Sequence, residues 1–283
     1  MCGLGPMSEH ALRLRREQRF RRWFLLMCYL AAGAGLALIL WFAHQHPVLL
    51  ANKGLNDWRL AIIATAAVGT ALMVFHRIRS WMFWETIFTV TLFLGVWLAC
   101  LLFLPLAWAL VLAAGLTLAH LFIRATLLHD IFYLLGAMGV AISFASWLSP
   151  EVLLVVLVGF TVYDMVAGPP GGPIQELAQA LVKRGIIPGL LVVSRWKDLI
   201  STVDTAIKGP NALLGAGDLI LPLCLVARAA MSGPYQAAIV LVGLLVGVLV
   251  LSRAALLHPR AALPALAVGA CAPFVVLRIL SLI

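Results

Sequence analysis

Nine apolar runs dominate the chain, near residues 23–43, 60–75, 82–102, 106–124, 130–148, 152–167, 212–230, 235–252 and 261–282. A helical bilayer crossing needs roughly 17–25 predominantly apolar residues, and only the second and sixth runs are short of that. Hydrophobic residues make up 64% of the chain and charged residues 11%, with a mean hydropathy of +1.07. A water-soluble domain carries about 25% charged residues. There is too little polar surface here to coat a body in water. The runs therefore predict an all-α polytopic membrane protein with about nine transmembrane helices, solvated by the lipid bilayer.

The net charge of +9 raises nucleic acid as a partner only until its distribution is read. Arg13, Arg15, Arg16, Arg19, Arg21 and Arg22 precede the first run. With nine spans and the N-terminus inside, sixteen of the twenty Lys and Arg residues fall inside and four outside. That is the positive-inside signature, so nucleic acid is set aside and the C-terminus is placed outside. The run 23–43 is longer than a signal-peptide core and is read as a retained anchor. The five cysteines show no CxxC spacing and four lie in apolar runs, so they read as packing residues; no metal or cofactor is expected.

Four regions follow: a basic inner segment 1–22, helices one to six over 23–167, an inner loop over 168–211, and helices seven to nine over 212–283. The loop opens with Gly168-Pro169-Pro170-Gly171-Gly172-Pro173, which cannot continue a helix. Ile174, Leu177, Ala178, Leu181 and Val182 then recur at helical spacing and predict a short amphipathic helix at the membrane surface. Gly189–Val193 is short, β-branched and bounded by Pro188 and Ser194, which predicts a strand-like segment.

Function in such a chain rests on polar residues inside apolar runs. Nine of the eleven acids, Asp130 and Glu85 among them, are assigned to loops or span ends; Glu85, one turn into the third run, reads as an interfacial or paired residue. Asp164 and Asp218 cannot be so assigned. At 1.5 Å per residue they lie roughly 9 and 10 Å from the inner ends of consecutive antiparallel helices. Two close carboxylates cannot both ionise easily and share one proton, the state an aspartyl protease uses. On chemistry alone a catalytic pair stands at even odds with a proton relay or a cation site. Pro264, roughly 6 Å in from the inner face, is expected to keep its helix end irregular. His120 is read as a packed or hydrogen-bonded histidine.

Tyr163-Asp164 on the sixth run, Gly215-Ala216-Gly217-Asp218 on the seventh and Pro264-Ala265-Leu266 on the ninth follow the order YD, GxGD, PAL. This set resembles the presenilin/signal peptide peptidase family of intramembrane aspartyl proteases, over residues 152–283, and looks like a microbial presenilin-like homologue. The resemblance implies that Asp164 and Asp218 are the catalytic aspartates. It implies that Tyr163 packs beside them, that Gly215 and Gly217 shape the site, and that Pro264, Ala265 and Leu266 hold its geometry and contact substrate. The implied substrates are single-span transmembrane proteins or remnant signal peptides, cut within their helices, and the implied location is multi-pass in a microbial cell membrane. A substrate helix must unwind before its amides are reachable. Gly189–Val193, or the backbone near Pro264, is the expected partner of the unwound strand. The inner loop leaves no room for a long self-cleaved insert, so an intact single chain is expected to be active. A prepilin-peptidase-like enzyme shares GxGD but not the YD and PAL elements. A cation channel or transporter using the two aspartates remains as a different class.

Overall fold

The computed structural model describes residues 81–167, 179–183, 186–187, 189–193, 196–208, 212–254 and 263–280. The basic N-terminal segment, the first two apolar runs and the glycine–proline run lie outside the described residues. Each of the other seven runs contains a helix. These are α1 (Trp81–Leu101), α2 (Leu106–Phe122), α3 (Thr126–Trp147), α4 (Pro150–Ala167), α7 (Ala216–Ser232), α8 (Pro234–Ala254) and α9 (Leu263–Ile279). Between α4 and α7 lie strand β1 (Gly189–Val192), short helices α5 (Trp196–Ile200) and α6 (Val203–Lys208), and strand β2 (Ala212–Gly215). Residues 179–182 of the expected amphipathic helix are helical and bury Leu181; its first half lies outside the described residues.

Two corrections follow. The fold is not purely helical: β1 and β2 form an antiparallel pair, with Gly189 opposite Gly215 and Val192 opposite Ala212. The seventh helix also begins at Ala216, not 212, because Ala212–Gly215 is extended. The strand-like reading of Gly189–Val193 agrees with β1.

Helix α3 is central, packing against α1, α7 and β1, while α8 packs on α9 and α7. Close helix approach uses small residues. A Cβ added to Gly139 of α3 would collide with the backbone of Gly95 on α1, and one on Gly95 would collide with Gly136. The main core gathers Phe132, Tyr133, Leu219, Leu223, Leu244 and Phe274. Outside it the surface is apolar, with Trp108, Val111, Phe122 and Val242 exposed. A body with an apolar core and an apolar exterior is an integral membrane protein. Helices α1 and α3 each contain a stretch long and apolar enough to cross a bilayer, at a mean hydropathy of 1.7.

The two ends of the bundle differ. At one end Arg278 meets Glu151 at 2.6 Å, joining the close of α9 to the start of α4, and Arg228 donates to the Ala145 carbonyl at 3.2 Å. At the other end lies the sheet, over a second apolar cluster of Ile187, Leu191, Val193, Leu199, Val203 and Ala206. There Arg124 lies 3.8 Å from Asp204, and Thr126 Oγ1 donates to the Ser201 carbonyl at 2.9 Å.

Gly139→Val should force α1 away from α3 and cost about 1–3 kcal/mol. The expected reading is a lower Tm in detergent; an unchanged Tm would contradict the contact.

Candidate active site

Asp164 lies three residues before Ala167, the last described residue of α4, and Asp218 is the third residue of α7. Both stand at the sheet end of the bundle, and each is half-buried. Asp218 is nearer its helix start than the sequence predicts, because α7 begins only after β2. Helices α4 and α7 are in contact, and the charges of the two aspartates reach one another. Asp164 Oδ2 is buried and has no hydrogen-bond partner among the described residues.

The GxGD sequence explains how Asp218 is held. Gly215 is the N-cap of α7, with extended backbone, and Asp218 is the N3 residue. An N3 acid can reach back to the N-cap amide, and the Gly215 N–H donates to the Asp218 carboxylate. A Cβ on Gly215 would stand 3.3 Å from Asp218 Oδ2, crowding the carboxylate as it folds back. Gly217 is exposed, and a Cβ there would meet nothing within 4 Å. Among the described residues, then, Gly217 opens a path beside Asp218 and does not seat a neighbouring helix. Pro222 lies four residues after Asp218 inside α7. It has no N–H to offer the Asp218 carbonyl, so the helix is weakened at the aspartate's own turn.

Tyr163 is beside Asp164, within reach of its charge, and meets Phe160 edge-on at 6.5 Å. Pro264 is the second residue of α9. The irregular helix end expected there falls with residues 255–262, outside the described residues. Ala265 and Leu266 follow in the same turn, and the side chains of these three residues lie outside what is described.

Three further residues at this end were not singled out in the sequence. Tyr133 of α3 is buried, and its hydroxyl lies within reach of the Asp218 charge. Asp130, assigned above to a span end, lies within α3 at 3% exposure. Its Oδ1 accepts the Leu191 N–H at 2.9 Å. Its neighbour His129 places Nε2 3.0 Å from the Gly189 carbonyl, which can only accept, so Nε2 carries the proton and donates. His120 is a packed histidine, stacked on Phe132 at 4.7 Å and tilted against His129 at 5.2 Å. Behind His129 a cavity of about 90 Å³ is lined by Glu85, His120, Arg124 and Ile187. Among the described residues no group of three or more His, Cys, Asp or Glu could hold a metal ion.

These bonds set which way each strand faces. In an antiparallel ladder a residue's N–H and C=O point to the same side, and the side alternates along the strand. The Leu191 N–H goes to Asp130, so Gly189 and Leu191 face α3 and Leu190 and Val192 face β2. Their partners Leu214 and Ala212 face back, which turns the N–H and C=O of Leu213 to the side away from β1. The Leu213 side chain is 39% exposed.

No protein-family profile matches the chain, and no curated protein sequence matches it. Among solved structures, one described as a presenilin family intramembrane aspartate protease matches with a TM-score of 0.56 and 24% identity, over 89% of this chain and 94% of that one. The chain has the fold of a presenilin family intramembrane aspartate protease.

Proposed function

We propose that this chain is an intramembrane aspartyl protease in which Asp164 and Asp218 are the catalytic pair. Its substrates are single-span transmembrane proteins or remnant signal peptides. The reading is supported by two carboxylates, on the adjoining helices α4 and α7, that lie within electrostatic reach of one another at the sheet end of an apolar bundle. Two acids in lipid-solvated helices are costly, and a pair sharing one proton can do work that either alone cannot. The ionised carboxylate takes a proton from water, whose oxygen attacks the scissile carbonyl carbon. The protonated carboxyl donates to the carbonyl oxygen as it gains charge. Collapse of the tetrahedral intermediate breaks the C–N bond, and a proton passes to the leaving amine. Tyr163 and Tyr133 flank the two aspartates, and Gly215 holds Asp218 in place.

An unwound substrate has backbone groups that need partners in lipid. The expected partner β1 has one edge on β2 and the other on α3, so the reading moves to β2. The outward N–H and C=O of Leu213 form the edge that no described residue occupies, and the strand ends at Gly215, three residues before Asp218. An added strand on β2 runs its peptide bonds towards the aspartates. The described backbone at Pro264, from Leu263 onward, is helical and offers no strand edge; the residues before it lie outside the described residues.

Cleavage of a single-span peptide carrying helix-destabilising residues, in detergent and in liposomes, tests the pair. Asp164→Ala and Asp218→Ala should each lower the rate by about 10²–10⁴-fold or more; cleavage by both variants at the wild-type rate would refute the assignment. Leu213→Pro removes the outward N–H without removing a bond between β1 and β2. It should abolish cleavage, whereas Leu213→Ala, which keeps that N–H, should reduce it far less. Equal activity of the two would reject β2 as the docking edge.

A further inference from the structure

The edge of β1 that faces α3 is closed by two consecutive side chains of one helix. His129 Nε2–H donates to the Gly189 carbonyl at 3.0 Å, and Asp130 Oδ1 accepts the Leu191 N–H at 2.9 Å. A C=O at one residue and an N–H two residues on are the groups that one residue of a parallel strand would engage. The His129–Asp130 pair thus supplies the donor and the acceptor of a missing neighbouring strand. All four partners are buried, where an unpaired backbone group is costly. The pair is also held from behind. His129 lies between the rings of His120 and Tyr133, at 5.2 and 5.9 Å, and Asp130 lies in the same turn of α3.

From this clamp an unbroken series of bonds leads to the candidate catalytic residue. Helix α3 holds β1, β1 holds β2 through Leu190 and Val192, β2 closes at Gly215, and the Gly215 N–H holds the Asp218 carboxylate. Gly189 tightens the pairing, since a Cβ there would collide with the Leu214 carbonyl. We infer that His129 and Asp130 are positioning residues that close one edge of β1, leave β2 as the edge for substrate, and hold its register against Asp218. This rests on the protease reading for its consequence, though not for its geometry. Closing the wrong edge matters because a strand added to β1 would lie two strand spacings from β2, whereas one added to β2 lies one spacing, about 4.8 Å, from it. A misplacement of even 1 Å can cost on the order of 100-fold in rate.

The test combines amide hydrogen exchange on the full chain in detergent with mass spectrometry of the cleavage products. In Asp130→Ala the Leu191 amide should exchange on the order of tenfold faster. The cleavage rate constant kcat should fall on the order of 10–100-fold, and cleavage should spread to adjacent peptide bonds. Asp130→Asn keeps an Oδ1 acceptor and should restore both protection and a single cleavage position. His129→Phe keeps the ring stack and removes only the donor. It should broaden cleavage in the same way, and it decides the matter if Asp130→Ala does not fold. An unchanged cleavage position and kcat in folded Asp130→Ala or His129→Phe would overturn the inference. So would failure of Asp130→Asn to restore either. If the wild type cleaves nothing, the protease reading fails, and the Leu191 exchange rates alone decide whether the clamp exists.

Discussion

A peptide backbone in lipid has no water to bond to, so every N–H and C=O it exposes must find a partner in protein. A helix meets this requirement internally, which is also what makes it resistant to hydrolysis. A segment opened for cleavage loses those partners at the moment its scissile bond becomes reachable. The arrangement at the sheet end of this bundle answers that requirement. Among the described residues seven apolar helices supply the lipid-facing body, and a two-stranded sheet with one edge unpaired sits where α4 and α7 carry two carboxylates within electrostatic reach of each other. In the proposed reaction, added edge bonds would replace those lost on unwinding, and the aspartates would act on what is then exposed.

Much of this depends on α3, a helix that carries neither Asp164 nor Asp218. Its glycines let α1 approach closely, its aromatic face supplies Tyr133 near Asp218, and its first turns hold β1. Residues from 126 to 139 therefore contribute to stability, to the electrostatic setting of the site and to the register of the sheet. The far end of the bundle is built differently, with ion pairing between Arg278 and Glu151 and no sheet among the described residues.

The described helices were largely legible because lipid solvation demands long apolar runs, and such runs have few alternatives. Asp164 and Asp218 were legible for the complementary reason, being charges inside those runs. The start of α7 was not. Ala212-Leu213-Leu214-Gly215 is apolar and continuous with the helix after it, and four residues are too few for periodicity to separate strand from helix. Asp130 was missed because a His-Asp pair at the beginning of an apolar run looks like an ordinary span end. Its role comes from β1, some sixty residues away, which no local pattern encodes.

The central claim, that Asp164 and Asp218 act together on a peptide held along β2, is tested most directly by a structure of the full chain with a hydroxyl-bearing peptide mimic of the tetrahedral intermediate. The account predicts the hydroxyl between the two carboxylates, within hydrogen-bonding distance of both, with the flanking peptide extended and bonded to Leu213. A mimic bound elsewhere, or one whose hydroxyl contacts neither aspartate, would contradict it.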